Sequence, residues 1–542
     1  MKCTHGWMSL GCDCGFADLG SGRYSRRSGA RSGLAVSTAA AVIVGGRSPA
    51  HGVAVTLPTQ NHWLIKNATI YTADGNNTII EGGDVAVRNG VIVGIGKCGT
   101  LAAERPANDE TAQQVIDARG HILLPGFVSN HIHETSALRL TQYWSQNIDD
   151  RQTSKDIFSD GGAIVTMTNQ YQSIYGLSKA LTPEESYAIT MHSFIGHLKN
   201  GTTTVGDVGG LSQWDSMAQA ALAIGLRCGP SIWGMDAKLN AALGTVEPGA
   251  VSTDVLLADV AAMLAKWARH DSGRIRARPS LLIPVSSSDE AIRQLGALAA
   301  HYDVPFVMHA AALRNEQPVS EQFFGKRSIP RLAYHGVLND RLTIVHSAYI
   351  SDAERQQLLS ANVNVDHSPA KYGYQGEPTV SETKQLTRFL NEGGNLALSS
   401  DGDRFPYGHM IAAMQATAIM HNEAGADNTL VVPSKVLEMA TRNPAKAMGW
   451  DSEIGSIEVG KKADLVLVKA DDWRYAAVRR PLTAFLFNGG TADIKHVFVD
   501  GIQLVRDGEL TMVDEAQLRH SYYLAMQSFS KRVLNEDLPL PH

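Results

Sequence analysis

The stretch Leu123-Leu124-Pro125-Gly126-Phe127-Val128-Ser129-Asn130-His131-Ile132-His133-Glu134 constrains the rest of the chain. An apolar run ends abruptly in two histidines one residue apart. In an extended strand, residues i and i+2 point to the same side. His131 and His133 therefore project together, where two imidazole nitrogens can grip one divalent cation. Pro125-Gly126 punctuates the approach and lets the strand begin sharply. Taken alone, the pair could equally be two polar residues at a strand end, so residues further along the chain must decide between the two readings.

Pro125-Gly126-Phe127-Val128 followed by His131-x-His133 resembles the first-strand signature of the amidohydrolase superfamily, metal-dependent hydrolases built on a (β/α)8 barrel. The resemblance implies further ligands at the C-terminal ends of later strands, the face on which barrel active sites sit. Between about residues 124 and 447, strand-like runs do alternate with helical patterns, as a parallel α/β fold requires. The runs after the first are 202–208, 227–233, 275–283, 305–309, 342–346, 362–367 and 395–400, which completes eight. Helix starts lie between them, at Thr182-Pro183-Glu184-Glu185 and Ser288-Asp289-Glu290 among others.

Two of these runs end in His309 and His346, and the last leads directly into Asp401. By the resemblance, His131, His133, His309 and Asp401 hold one divalent metal ion, and His346 orients the water or the substrate. The fourth run has neither the lysine nor the glutamate of binuclear members, which favours a single ion with an open position for water. Three histidines and one aspartate suit zinc, iron, manganese or cobalt, and zinc is the expected ion. A divalent cation lowers the pKa of bound water from about 15.7 towards roughly 7. Asp401 is then expected to carry the proton from attack to departure, and His346 to donate to the developing oxyanion.

Within the superfamily, the chain is similar to the nucleobase-deaminase and chlorohydrolase-like branch over about residues 62–505. Asn200-Gly201-Thr202-Thr203-Thr204 resembles its second-strand motif, and Asp366-His367-Ser368-Pro369-Ala370 its seventh. Two departures bear on chemistry. The branch's deaminases carry His-x-x-Glu on strand five, and here Ala312 stands at the glutamate position. Lys371-Tyr372 also replaces a common Ser-Asn. Without that acid, the expected substrate is an amide, urea, carbamate or cyclic amidine in a small cyclic or heteroaromatic molecule. The alternatives are displacement of halide, nitrite or thiolate from such a ring, an atypical deaminase with Glu316 as substitute acid, and, from another class, an inactive barrel serving as an interaction protein. Trp233, His367, Tyr372, Glu316 and Asp403 are the candidates for substrate contact. The insertion 144–175, with Tyr171 and Tyr175, is a candidate cap, because loops after barrel strands set specificity.

The remaining segments frame the barrel. Residues 1–60 read as a leader in which Ser25-Arg26-Arg27 precedes a small-apolar run, a pattern similar to a twin-arginine export signal; a cytoplasmic enzyme with a small-residue leader is the alternative. Residues 61–124 and 448–510 contain short strands, including a hairpin about Asn89-Gly90, and are expected to form one small β-sandwich from both chain ends. The barrel occupies 125–447, and 511–542 is a C-terminal helix expected to pack on the body or on a second copy of the chain, as in a homo-oligomer. Cys98 and Cys228 are single and widely spaced, which indicates neither a disulfide framework nor a thiolate metal site. A formal net charge of −6 with no long basic run offers no footprint for nucleic acid. The sequence shows no transmembrane stretch. The expected partner is a small molecule.

Overall fold

The computed structural model describes residues 55–101, 113–134, 164–210, 213–402 and 409–538, and all structural statements concern that part of the chain. The leader with its arginine pair, residues 144–163 of the insertion, and Asp403 lie outside it.

Eight short strands succeed one another as expected: β1 (Phe127–Ile132), β2 (Thr202–Asp207), β3 (Arg227–Gly229), β4 (Ser280–Leu281), β5 (Phe306–Ala310), β6 (Leu342–His346), β7 (Asn364–His367) and β8 (Leu396–Leu398). β1 to β3 pair in sequence, and so do β4 to β8, all parallel. The run before β4 meets β3 at a parallel bridge between Cys228 and Ile275. At the other seam, the Asp401 N–H donates to the His131 carbonyl at 3.1 Å and the Ser400 N–H to Ser129 Oγ at 3.2 Å. These bonds close the ring into a (β/α)8 barrel. Every strand residue is buried, which suits near-continuous apolar runs covered on both faces.

β3 and β4 are shorter than the runs 227–233 and 275–283 suggest. Pro230 has no N–H to extend β3; the Arg278 and Leu282 N–H groups still donate to the Pro230 and Gly234 carbonyls at 3.1 and 2.9 Å, and between them Ser280 Oγ donates to the Ile232 carbonyl. The guanidinium of Arg278 crosses the barrel interior beside them, donating to Asn130 Oδ1 at 2.5 Å, to the Asn130 carbonyl at 2.5 Å and to the Asp207 carbonyl at 3.2 Å. It thereby ties β1 to β2 directly beneath the two histidines.

The sandwich expected from both chain ends takes the form of one hydrogen-bonded sheet of nine strands. Trp63–Tyr71 and His121–Pro125 from one end sit beside Leu465–Lys469 and Ile494–Val499 from the other. Its apolar core gathers Trp63, Ile65, Leu123, Leu467 and Phe498. Gly126 carries the chain from this sheet into β1, where a Cβ would stand 2.2 Å from Thr203 Oγ1. Arg227 of β3 locks sheet to barrel. Its fully buried guanidinium grips Asp464 at 2.7 and 3.0 Å and also bonds Asp500.

The C-terminal helix, Glu515–Phe529, lies on the helix Pro183–Lys199, whose start carries the capping box of Thr182 and Glu185. Lys199 reaches Glu515 at 2.6 Å, Ser528 donates to Glu185 at 2.8 Å, and the rings of His192 and Tyr522 stack at 3.9 Å. Both cysteines among the described residues, Cys98 and Cys228, are free. No helix among these residues is long and apolar enough to cross a membrane.

Candidate active site

The strand ends of β1, β5, β6 and β8 bring four imidazoles and one carboxylate together at the barrel's C-terminal face. His131 Nε2 lies 2.9 Å from His133 Nε2 and 3.2 Å from His309 Nε2. Asp401 Oδ1 lies 3.4 Å and 3.6 Å from the His131 and His133 Nε2 atoms, and its Oδ2 lies 3.9 Å from His346 Nε2. His346 and Asp401 both sit at the ends of their strands in left-handed backbone, at φ 75° and 62°. For residues with a Cβ this conformation is uncommon, and it turns each chain sharply where its side chain must face the axis.

The ring nitrogens facing away from the cluster fix what the inner ones can do. His133 Nδ1 lies 2.6 Å from the Gly209 carbonyl, and His309 Nδ1 2.6 Å from the Leu282 carbonyl. A carbonyl can only accept, so both Nδ1 atoms carry the proton and both Nε2 atoms present lone pairs inward. Gly209 is a position that only glycine serves: φ is +94°, and a Cβ would lie 2.7 Å from the Trp233 Cα. His131, wholly buried, is held well below the usual imidazole range by burial first and then by His133, His309 and His346. His309 is pushed down to about 3 by burial, then by His133. Neutral imidazoles with converging lone pairs repel one another unless a cation lies between them. Among the described residues, His131, His133 and His309 form the one group able to hold a metal ion, and the donor set fits a divalent ion.

The other expected residues distribute differently. The Tyr372 hydroxyl lies 2.6 Å from His346 Nδ1, inside the site. Trp233 stacks on the His133 ring at 5.2 Å with Tyr171 at 5.1 Å, so it buttresses one of the three histidines able to hold an ion and is itself buried. His367 faces away from the cluster, its Nε2 3.0 Å from His421 Nε2 on the helix Met410–Gly425. Glu316 does not serve as a free acid. Its buried carboxylate accepts the N–H groups of Ala311 and Ala312 at 2.8 and 2.7 Å and the Ser328 hydroxyl at 2.7 Å, holding the turn after β5. Tyr175 is buried against Lys179 rather than placed over the cluster.

A buried ion pair that sequence reasoning missed borders the histidines. Lys371 Nζ contacts the Glu377 oxygens at 2.9 and 3.2 Å. After burial, the Lys371 charge is the largest influence lowering His346. Lys371 stood out as a departure at strand seven, but nothing in the spacing pointed to Glu377, which lies past the helix Pro369–Gln375.

A family model described as the amidohydrolase family matches residues 122–504. The chain belongs to the amidohydrolase family. This amidohydrolase is 25% identical over 475 residues to a 5-methylthioadenosine/S-adenosylhomocysteine deaminase of Acetivibrio thermocellus, covering 87% of this chain and 99% of that one. Its fold is shared by an adenosine deaminase from Xanthomonas campestris with bound zinc, at TM-score 0.72, 22% identity, and coverage of 88% of this chain and 100% of that one. An atrazine chlorohydrolase from Arthrobacter aurescens complexed with zinc matches at TM-score 0.72 and 20% identity, with coverage of 86% and 100%. Membership makes the amidohydrolase a hydrolase of carbon–nitrogen bonds other than peptide bonds.

Proposed function

We propose that the chain hydrolyses a C–N bond of an amide, urea, carbamate or cyclic amidine within a small cyclic or heteroaromatic molecule, using one zinc ion held by His131, His133, His309 and Asp401. The observation that carries this reading is the convergence of three imidazole Nε2 atoms and one carboxylate oxygen on a single point. Such an ion, when bound, makes water available as a nucleophile at neutral pH. Asp401 presents one oxygen to the ligand nitrogens and the other to His346. From that position it takes the proton of the attacking water and returns it to the departing nitrogen. His346 steadies the negative charge that develops on the substrate oxygen. Both side chains are buried, which strengthens these interactions.

Ala312 and the engaged Glu316 support amide-type substrates over aromatic amidines that expel ammonia, since an amide nitrogen can leave with Asp401 alone shuttling the proton. Removal of an exocyclic amino group from an adenine-type ring is the second reading, favoured by the deaminase among the relatives. A hydrolysis panel of cyclic amides, ureas, carbamates, amidines and aminated purines decides between them. Amide-type turnover with poor ammonia release is the expected result; efficient deamination of an adenosine-type substrate overturns it. Ala312→Glu should then raise any trace deamination, by at most about 10²–10⁴-fold, with little cost on the amide-type substrate.

A further inference from the structure

His346 differs from the ligand histidines in the partner of its outer nitrogen. His133 and His309 each face a backbone carbonyl through Nδ1, whereas His346 Nδ1 faces the hydroxyl of Tyr372 at 2.6 Å. A hydroxyl can donate or accept, so two arrangements are possible. If His346 Nδ1 carried the proton, the Tyr372 oxygen would accept it and its own O–H would need another acceptor. Tyr372 is fully buried, and its hydroxyl's other partner among the described residues, the Ser368 backbone N–H, is a donor, so no second acceptor stands there for the O–H. That arrangement leaves a buried donor unsatisfied, which proteins avoid. The reverse arrangement satisfies both groups: Tyr372 O–H donates to Nδ1, and the ring proton moves to Nε2. Nε2 faces Asp401 Oδ2 at 3.9 Å, with the His309 ring centroid 5.2 Å away and that of His131 5.5 Å away.

We propose that Tyr372 is a positioning residue whose hydroxyl donates to His346 Nδ1 and so fixes His346 as the Nε2–H tautomer, the one imidazole of the cluster that offers the substrate a hydrogen bond instead of a lone pair. The inference rests on the hydrolase reading for the role of that donor, but not for its existence. Tyr372 thus separates four neighbouring histidines into two kinds, three that bind the ion and one that does not. Burial raises the phenol well above its usual range, which keeps it protonated and able to donate.

The test is histidine-selective ¹⁵N NMR of the zinc-loaded protein, with the His346 signals assigned by their loss in His346→Asn. The wild type should show His346 as the Nε2–H tautomer. Tyr372→Phe should abolish that bias and lower kcat about 10- to 100-fold, with KM and zinc content unchanged. An Nδ1–H tautomer in the wild type, or wild-type kcat in Tyr372→Phe, overturns the proposal. If Tyr372→Phe does not fold, the wild-type spectrum alone decides. If the zinc-loaded wild type turns over no member of the hydrolysis panel, the reading of its function fails while the tautomer measurement still judges this one.

Discussion

Glu316 accepts the backbone N–H of Ala312 at 2.7 Å. The carboxylate expected as a substitute for the absent strand-five acid is spent on holding the vacated position in shape. Glu316→Gln keeps one acceptor oxygen and turns an N–H donor toward another donor. It should destabilise the fold by about 1–3 kcal/mol, read from urea denaturation, while activity per folded molecule persists. Loss of hydrolysis at unchanged stability would show instead that Glu316 works on the substrate.

The carbonyl of Gly209 orients His133. Gly209→Ala places a Cβ 2.7 Å from the Trp233 backbone at a φ of +94°, so this carbonyl must move and His133 loses its acceptor. Metal affinity should fall about 10- to 100-fold in a chelator competition. Unchanged affinity would mean that His133 needs no such support.

Asp366, deep in the barrel, gives the fold a pH dependence of its own. Burial pushes its carboxyl from 3.8 up to about 7 against the opposing bonds from Ser399 and Asn130 and the charge of Arg278. Over that interval the folded protein holds a proton that the unfolded chain has released, so stability falls as pH rises from 3.8 to about 7. Asp366→Asn should flatten this slope in a series of thermal midpoints taken against pH. A slope identical to the wild type would remove Asp366 as its source.

Asp464 grips Arg227 with both oxygens at full burial. Removing one partner of such a pair leaves an uncompensated charge, so Asp464→Ala should cost about 3–5 kcal/mol. Denaturant titration measures the loss, and a change below about 1 kcal/mol, the worth of an exposed pair, would show that Asp500 alone suffices for Arg227.

The parts of this architecture that are periodic were legible in the chain. His131 and His133 declare themselves through the two-residue repeat of a strand, and His309, His346 and Asp401 through apolar runs that stop at a polar residue. The eight barrel strands emerge from the same alternation. What could not be read depends on contacts across long separations. Arg278 looked like an ordinary residue of a strand, yet its side chain spans β1 and β2. Glu316 and His367 were sensible candidates by distance along the chain, but their side chains turn to Ala312 and to His421. Trp233 stood at the right strand end, where only the fold reveals that the His133 ring covers its own.

The Arg227–Asp464 clasp carries a consequence for how the protein is made. Arg227 leaves the ribosome 237 residues ahead of Asp464, an interval of roughly 12–47 s at about 5–20 residues per second. Throughout that time Arg227 lacks the carboxylate that accompanies its burial in the finished fold, so the clasp of β3 on the terminal sheet forms only after the second half of that sheet has been synthesised. Completion of the catalytic face is timed by the arrival of a segment that contributes no residue to it.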